Sequence, residues 1–151
     1  MAALSSDMQV HPLAPGLARF DTGYLRQGHT ACYIVHDHGR AAVLDTGVGA
    51  SVTGLVAAIG HLGIALENVD WVIPTHVHLD HAGGAGALMQ ALPNACLGIH
   101  PSGAEHMIDP GRLETGVRAL YGDAFFEREY SPLTPVSADR VEILEDGASV
   151  R

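Results

Sequence analysis

Residues 74–84, "PTHVHLDHAGG", place three histidines and one aspartate within six positions. His76 and His78 are two residues apart, so their side chains diverge by about 200° on a helix but lie on one side of an extended segment. Pro74 disfavours helix at the residue before it. The stretch follows "VDWVIP", a continuous apolar run typical of a buried strand. We therefore expect these side chains at the carboxyl end of a central strand, where open α/β sheets place their ligand sites.

Short strands and amphipathic helices are predicted on both sides of this stretch. The predicted strands span residues 17–23, 31–37, 41–47, 69–74 and 95–100, and the predicted helices span 52–62, 85–92, 102–109 and 113–121. Residues 1–16, which contain two prolines, are expected to be an irregular lead-in, and residues 125–140 are expected to be loop-like. Residues 141–151 predict a strand, a turn and the start of another strand. This alternation is typical of a layered α/β or α+β domain.

The net charge of −9 limits the partners of the chain. A nucleic-acid-binding protein, or one that docks on an anionic membrane, needs a basic face, so neither is expected. The expected partner is a small-molecule substrate, and the oligomeric state stays open.

The first ten residues lack a basic region followed by an apolar stretch, and no run approaches the roughly 18 apolar residues of a membrane span. We therefore expect a cytoplasmic protein, with Cys32 and Cys96 as buried free thiols.

His76, His78, Asp80 and His81, hereafter the motif side chains, predict a metal site. Asp80 and His81 are adjacent and point away from the first two histidines, so they suit a second ion beside the first. Gly83 and Gly84 let the chain turn into the next predicted helix, whose N-terminus we expect to face the site and favour an anion. The alternative is a polar surface loop that happens to be rich in histidine.

Asp45 closes a predicted strand in "VLDTG" and has two interpretations. Its carboxylate could be buried and orient a metal-binding histidine without touching the ion. It could instead form a local turn that fixes Asp45-Thr46-Gly47. Thr75 is expected to brace the same loop.

The segment "THVHLDH" is similar to the T-H-x-H-x-D-H signature of the metallo-β-lactamase-fold hydrolases, and "VLDTG" resembles their upstream turn. The resemblance covers residues 15–151. It implies a four-layered αββα sandwich with two metal ions at the lip between two sheets. It also implies that His76 and His78 bind the first ion and that Asp80 and His81 bind the second. Zinc is the expected metal, with iron or manganese as alternatives.

The resemblance implies a hydrolase in which a metal-bridged hydroxide attacks an ester, thioester, lactone or similar bond. Asp80 would also be catalytic, because its carboxylate could steer the hydroxide or shuttle a proton. Two alternatives stay open. One is an iron-dependent sulfur dioxygenase of the same fold, and the other is an inactive fragment that acts as a metal-poor binding module.

A complete site of this family also implies a histidine from a later glycine-rich turn, an aspartate that bridges both ions and a final histidine. None of the other histidines has the context of such a ligand; they are His11, His29, His36, His38, His61, His100 and His106. We therefore expect residues 1–151 to be an incomplete domain, an N-terminal fragment truncated before those ligands. Such a fragment should be inactive alone, bind metal weakly and expose an apolar face of its sheet.

Overall fold

The computed structural model describes residues 9–130 and 133–151. In the described residues, seven strands form one sheet, and their spatial order is their order in the chain. The strands are β1 (Val10–Ala14), β2 (Leu17–Asp21), β3 (Ala31–Asp37), β4 (Arg40–Leu44), β5 (Val69–Ile73), β6 (Cys96–Ile99) and β7 (Val141–Ile143). The first four strands pair antiparallel, and β4 to β7 pair parallel. The α/β class predicted from the sequence is confirmed.

Helices connect the parallel strands. They are α1 (Val52–His61), α2 (Leu79–Ala82), α3 (Ala85–Ala91), α4 (Pro101–Ile108), α5 (Gly111–Tyr121) and α6 (Asp123–Glu129). Short 3-10 turns cover Gly49–Ser51, Leu66–Asn68 and Ala138–Arg140. Gly63 follows α1 with φ 76°, a left-handed conformation that favours glycine and ends the helix as predicted. No helix among residues 9–130 and 133–151 has the length and apolar character needed to cross a bilayer.

The main core lies between the parallel strands and the helices α1 and α3. Val43, Val72, Leu97, Leu55 and Leu88 are all fully buried in it. The opposite face of the sheet carries Tyr33 and Val35, which are 37% and 44% exposed. Side chains alternate across a strand, so the buried Cys32 and Ile34 face the core while Tyr33 and Val35 face outward. An apolar part of the sheet is therefore exposed, as expected.

A smaller cluster of buried side chains links the histidine stretch to α6. Its members are Tyr24, Val48, Leu79, Phe126 and Tyr130. Leu79 is the first residue of α2, so this cluster packs directly beneath the predicted metal site. The position of α2 is therefore fixed by side chains from three separate parts of the chain.

Helix α3 is held closely at both ends. A Cβ at Gly86 would lie 1.8 Å from the carbonyl oxygen of Thr134, so only glycine allows this approach. At the other end, the Arg140 guanidinium donates to the carbonyl oxygens of Met89 at 2.7 Å and Ala95 at 2.8 Å, and also to that of Leu92. These bonds satisfy carbonyls that the end of a helix leaves without partners.

Three local predictions were wrong. Residues 1–16 are not wholly irregular, because β1 pairs with β2; its Pro12 is tolerated because β1 is an edge strand with an irregular register. Residues 1–8 lie outside the described part. The segment 125–140 is not all loop, since α6 and a 3-10 turn occupy part of it. The last residues start no strand: β7 ends at Ile143 and the chain then turns.

Candidate metal centre

The histidine stretch leaves the carboxyl end of β5, as predicted. Residues 74–78 are non-helical, and His78 has the extended ψ of 140° at the start of α2. His76 and His78 therefore lie on the extended segment, whereas Asp80 and His81 lie in the short helix α2 rather than in a loop. This change of backbone explains how two pairs of side chains can point in different directions from one hexapeptide.

The structure brings the motif side chains together. The imidazole ring centres of His76 and His78 are 4.7 Å apart, and those of His76 and His81 are 4.4 Å apart. The Nε2 atom of His81 lies 3.5 Å from Oδ2 of Asp80. His76 and His78 are exposed, so this side of the cluster is open to solvent.

Asp45 lies beneath this cluster, buried at the end of β4 with a left-handed φ of 61°. Its carboxylate accepts hydrogen bonds from the backbone N–H of Thr75 at 2.7 Å and from Thr75 Oγ1 at 2.9 Å. It also lies 2.9 Å from Nδ1 of His81. A carboxylate only accepts hydrogen bonds, so Nδ1 of His81 carries a proton, and in the neutral ring the lone pair is then at Nε2.

Thr75 extends the same control to His76. The single hydroxyl hydrogen of Thr75 is donated to Asp45, so its oxygen accepts from Nδ1 of His76, which lies 3.0 Å away. In the neutral His76 ring the lone pair is then also at Nε2. One buried carboxylate thus sets the tautomers of two histidines, directly for His81 and through Thr75 for His76. This geometry supports the orienting interpretation of Asp45.

The donor chemistry suits a metal ion. Nε2 of His81 and Oδ2 of Asp80 are 3.5 Å apart, so a cation placed beside them could contact both atoms. Imidazole nitrogen with carboxylate oxygen is a ligand set for zinc, iron or manganese. However, among residues 9–130 and 133–151 no three histidine, cysteine, aspartate or glutamate side chains surround a common point as a ready coordination shell.

The Asp45-Thr46-Gly47 turn also holds α2 through backbone and side-chain hydrogen bonds. Thr46 donates from its backbone N–H, at 2.7 Å, and from its hydroxyl, at 3.0 Å, to the carbonyl oxygen of His81. The N–H of Gly84 donates to the carbonyl oxygen of Gly47 at 2.8 Å. The N–H of Gly84 is therefore used to hold the loop, and the expectation that the start of helix α3 faces a bound anion stays a prediction.

Several histidines outside the motif lie in other surroundings, whereas His29 and His106 line cavities that motif residues also line. His36 and His38 belong to the β3–β4 hairpin, and His61 ends α1. His100 caps α4, where its Nδ1 accepts from the backbone N–H of Ser102 at 3.3 Å. His106 lies on the wall of a cavity that His78 and Asp80 also line.

Two tyrosines near the site were missed by the sequence analysis. The Tyr24 hydroxyl donates to the Tyr130 hydroxyl at 2.7 Å, and both side chains are buried. Burial, followed by their mutual contact and the nearby charge of Asp80, raises the pKa of Tyr24. Burial likewise raises the pKa of Tyr130. The residues are 106 positions apart and carry no local motif, so no signal in the sequence pairs them.

Both cysteines are free, as predicted. Cys32 is fully buried on β3, and burial together with the charge of Asp45 raises the pKa of its thiol. Cys96 is only partly buried, which differs from the prediction. Its position at the first residue of β6 leaves one side of the residue open.

Two cavities meet the motif from different directions. One, of about 390 Å³, contains His78 and Asp80 and is walled by α5. The other, of about 530 Å³, is lined by Asp21, His29, Asp45, Asp80 and His81 among others. Asp80 lines both cavities.

Several solved structures share this fold. The metallo-β-lactamase SMB-1 bound to 2-mercaptoethanesulfonate superposes with a TM-score of 0.71 at 21% identity, over 97% of this chain and 51% of that one. A β-lactamase from Chitinophaga pinensis gives 0.69 at 25% identity, over 97% and 49%. The Cronobacter sakazakii metallo-β-lactamase with a HARLDQ motif gives 0.67 at 21% identity, over 95% and 48%. The chain thus spans about half the length of these proteins.

Two curated relatives match shorter segments. Hydroxyacylglutathione hydrolase of Anaeromyxobacter dehalogenans (strain 2CP-C) is 33% identical over 91 residues, which are 58% of this chain and 33% of the relative. Uncharacterized protein YobT of Bacillus subtilis (strain 168) is 31% identical over 64 residues, which are 42% of this chain and 26% of the relative. The family model described as "Metallo-beta-lactamase superfamily" matches residues 25–150. The resemblance of "THVHLDH" and "VLDTG" is therefore confirmed, and the chain belongs to the metallo-β-lactamase superfamily.

Proposed function

We propose that this chain provides the metal-ligating N-terminal part of a metal-dependent hydrolase that cleaves an ester, thioester, lactone or similar bond. The observation that carries the proposal is the hydrogen-bonding of Asp45 with Thr75 and His81, which directs Nε2 of His81 toward the Asp80 carboxylate. The match to a relative named hydroxyacylglutathione hydrolase supports hydrolysis as the reaction class.

The motif side chains would hold the metal, with His76 and His78 on one ion and Asp80 and His81 on a second. Zinc is the metal we propose, with iron and manganese as alternatives. Zinc lowers the pKa of water to about 7 and polarises a carbonyl oxygen, which is the chemistry that ester cleavage needs.

The protein side chains have separate roles in this proposal. Asp45 and Thr75 keep the Nδ1 protons of His76 and His81 in place, so both rings present Nε2 without reorganisation. The Asp80 carboxylate lines both cavities, so it would be accessible to accept a proton from the attacking water or pass one to the leaving group.

We further propose that the remaining ligands come from the half of the fold that the matched structures have and this chain does not span. A catalytic zinc usually has three protein ligands and an open position. The motif offers two per ion, so the 151-residue chain should bind zinc orders of magnitude more weakly than a closed site.

The test is hydrolysis of a panel of p-nitrophenyl esters, thioesters and lactones by the full product of the gene, loaded in turn with zinc, iron and manganese. His78→Ala should lower activity and metal content at least about 100-fold. The matched control, His61→Ala on α1, should leave both unchanged because His61 is remote from the motif. Near-normal turnover in His78→Ala would refute the assignment, and one iron with oxygen uptake but no hydrolysis would point to a dioxygenase.

A further inference from the structure

The cavity beside the motif has two chemically different ends. Its volume of about 390 Å³ falls in the range of small-molecule sites, roughly 300–1,000 Å³. His78 and Asp80 lie at one end, so a bound molecule would extend away from the proposed reaction centre. The other wall is helix α5.

Helix α5 presents an apolar stripe to this cavity, and its residues Leu113 and Val117 also pack against the smaller buried cluster. Leu113, Val117 and Leu120 follow at i, i+4 and i+7, the spacing of one helical face, and all three line the cavity. No residue of α5 is buried, and Leu120 is 72% exposed. Leaving such a stripe in water is unfavourable, by roughly 25 cal/mol for each Å² of apolar surface.

The two arginines of α5 differ in their surroundings. The Arg112 guanidinium lies 4.0 Å from the Glu105 carboxylate. Arg118 contacts Glu114 at 2.8 Å, Asp123 at 3.2 Å and also Glu127. Arg118 therefore has carboxylate partners, and the apolar stripe makes this wall complementary to an uncharged apolar group.

Tyr130 contributes a hydroxyl group to this cavity. It lines the cavity and its hydroxyl accepts the hydrogen of Tyr24, so its own hydrogen is left to donate to another acceptor. A carbonyl oxygen bound near Asp80 is a suitable acceptor. An ester or thioester whose carbonyl is bound there would direct its acyl chain along the apolar stripe of α5.

We propose that this cavity binds the apolar acyl group of a medium-chain ester or thioester, with the carbonyl at the end formed by His78 and Asp80. Cleavage of the bound ester or thioester rests on the proposed hydrolase function, whereas binding of the acyl group does not. Chain length is the selected feature, because each additional buried methylene contributes about 0.8 kcal/mol.

The test is the affinity of the metal-free 151-residue chain for octanamide and acetamide, which are uncharged and stable stand-ins for long and short acyl substrates. Isothermal titration and methyl NMR report binding without any reaction. Octanamide should bind at least about tenfold more tightly than acetamide. Val117→Asn and Leu120→Asn should each remove most of this difference. The control, Leu13→Asn, changes a leucine on β1 that is 50% exposed and should leave it intact.

Equal affinity for the two amides would overturn the proposal. The proposal would also fail if Leu13→Asn reduced the preference for octanamide as much as Val117→Asn and Leu120→Asn do. Thermal unfolding of each variant shows that it is folded, which is expected because Leu120 is mostly exposed. If sedimentation shows a dimer that Leu120→Asn dissociates, the stripe binds a second copy and the proposal fails. Loss of hydrolysis with intact octanamide binding would instead refute the proposed reaction alone.

Discussion

Nδ1 of His81 lies 2.9 Å from the carboxylate of Asp45, 36 residues earlier in the chain. Asp45 also holds Thr75, and Thr75 holds His76. The Asp-Thr-Gly turn after β4 and the histidine stretch after β5 therefore form one unit. This is possible because β4 and β5 are parallel neighbours, so their carboxyl ends lie side by side.

Asp45→Asn should weaken zinc binding by about 10–100-fold, the usual cost of losing a group that orients a metal ligand. An amide can accept with its oxygen, but its NH₂ group would oppose the donors Thr75 and His81. A chelator-competition titration of the 151-residue chain measures this. Asp37→Asn, at the exposed end of β3, is the matched control and should bind zinc normally. Equal affinity of both variants would show that Asp45 does not orient the site.

Gly86→Ala should destabilise the protein by about 1–3 kcal/mol or more, because the new Cβ would overlap the Thr134 carbonyl. Gly116→Ala is the control, since it also lies within a helix but nothing lies within 4 Å of its Cβ position. This change should stabilise by about 0.5–1 kcal/mol, the helix preference of alanine over glycine. Urea denaturation measures both. A neutral Gly86→Ala would contradict the close packing of α3 described above.

The stability of the protein should fall as the pH rises above about 8.5, the ordinary pKa of a thiol. Burial raises the pKa of Cys32, so the folded chain keeps a proton that the unfolded chain releases. Unfolding then releases protons, and stability declines by up to about 1.4 kcal/mol per pH unit for each such group. All eight basic residues are arginines, so no lysine titrates in this range.

Two variants distinguish the contribution of the Cys32 thiol from that of the Tyr24 hydroxyl. Cys32→Ala should flatten the decline of the unfolding free energy between about pH 8.5 and 10. Tyr24→Phe should flatten it only above about pH 10, the ordinary pKa of tyrosine, because the pKa of Tyr24 is also raised. Urea denaturation at a series of pH values measures the slopes. A wild-type slope in Cys32→Ala would mean that its thiol does not stay protonated in the folded state.

Local patterns predicted most of what lies around β5. The continuous apolar run, the proline and the i, i+2 histidines are all determined within a dozen residues, and the structure places them as expected. The edge strand β1 was missed because prolines normally interrupt strands and are tolerated only where a sheet edge needs no donor. Whether a strand lies at the sheet edge depends on the tertiary arrangement and cannot be predicted from local sequence.

The rest of the site depends on contacts between distant residues. The Tyr24–Tyr130 hydroxyl bond joins the loop after β2 to the residue after α6, and neither segment has a motif. The stripe of α5 was recognised as helical, but nothing in its spacing shows whether it faces the core or a cavity. The hydrogen bond from the Gly84 N–H to the Gly47 carbonyl likewise could not be predicted, because it depends on how two loops pack.

The central claim is that the motif side chains bind the metal through nitrogens whose tautomers Asp45 sets. The most direct measurement is NMR of the imidazole nitrogens of the chain, with ¹⁵N-labelled histidine, during a zinc titration. Before zinc is added, His81 should be protonated at Nδ1. With zinc, the Nε2 signals of His76 and His81 should shift, while those of His36 and His61 stay constant. Zinc-induced shifts at His36 or His61, or their absence at His76 and His81, would contradict the account.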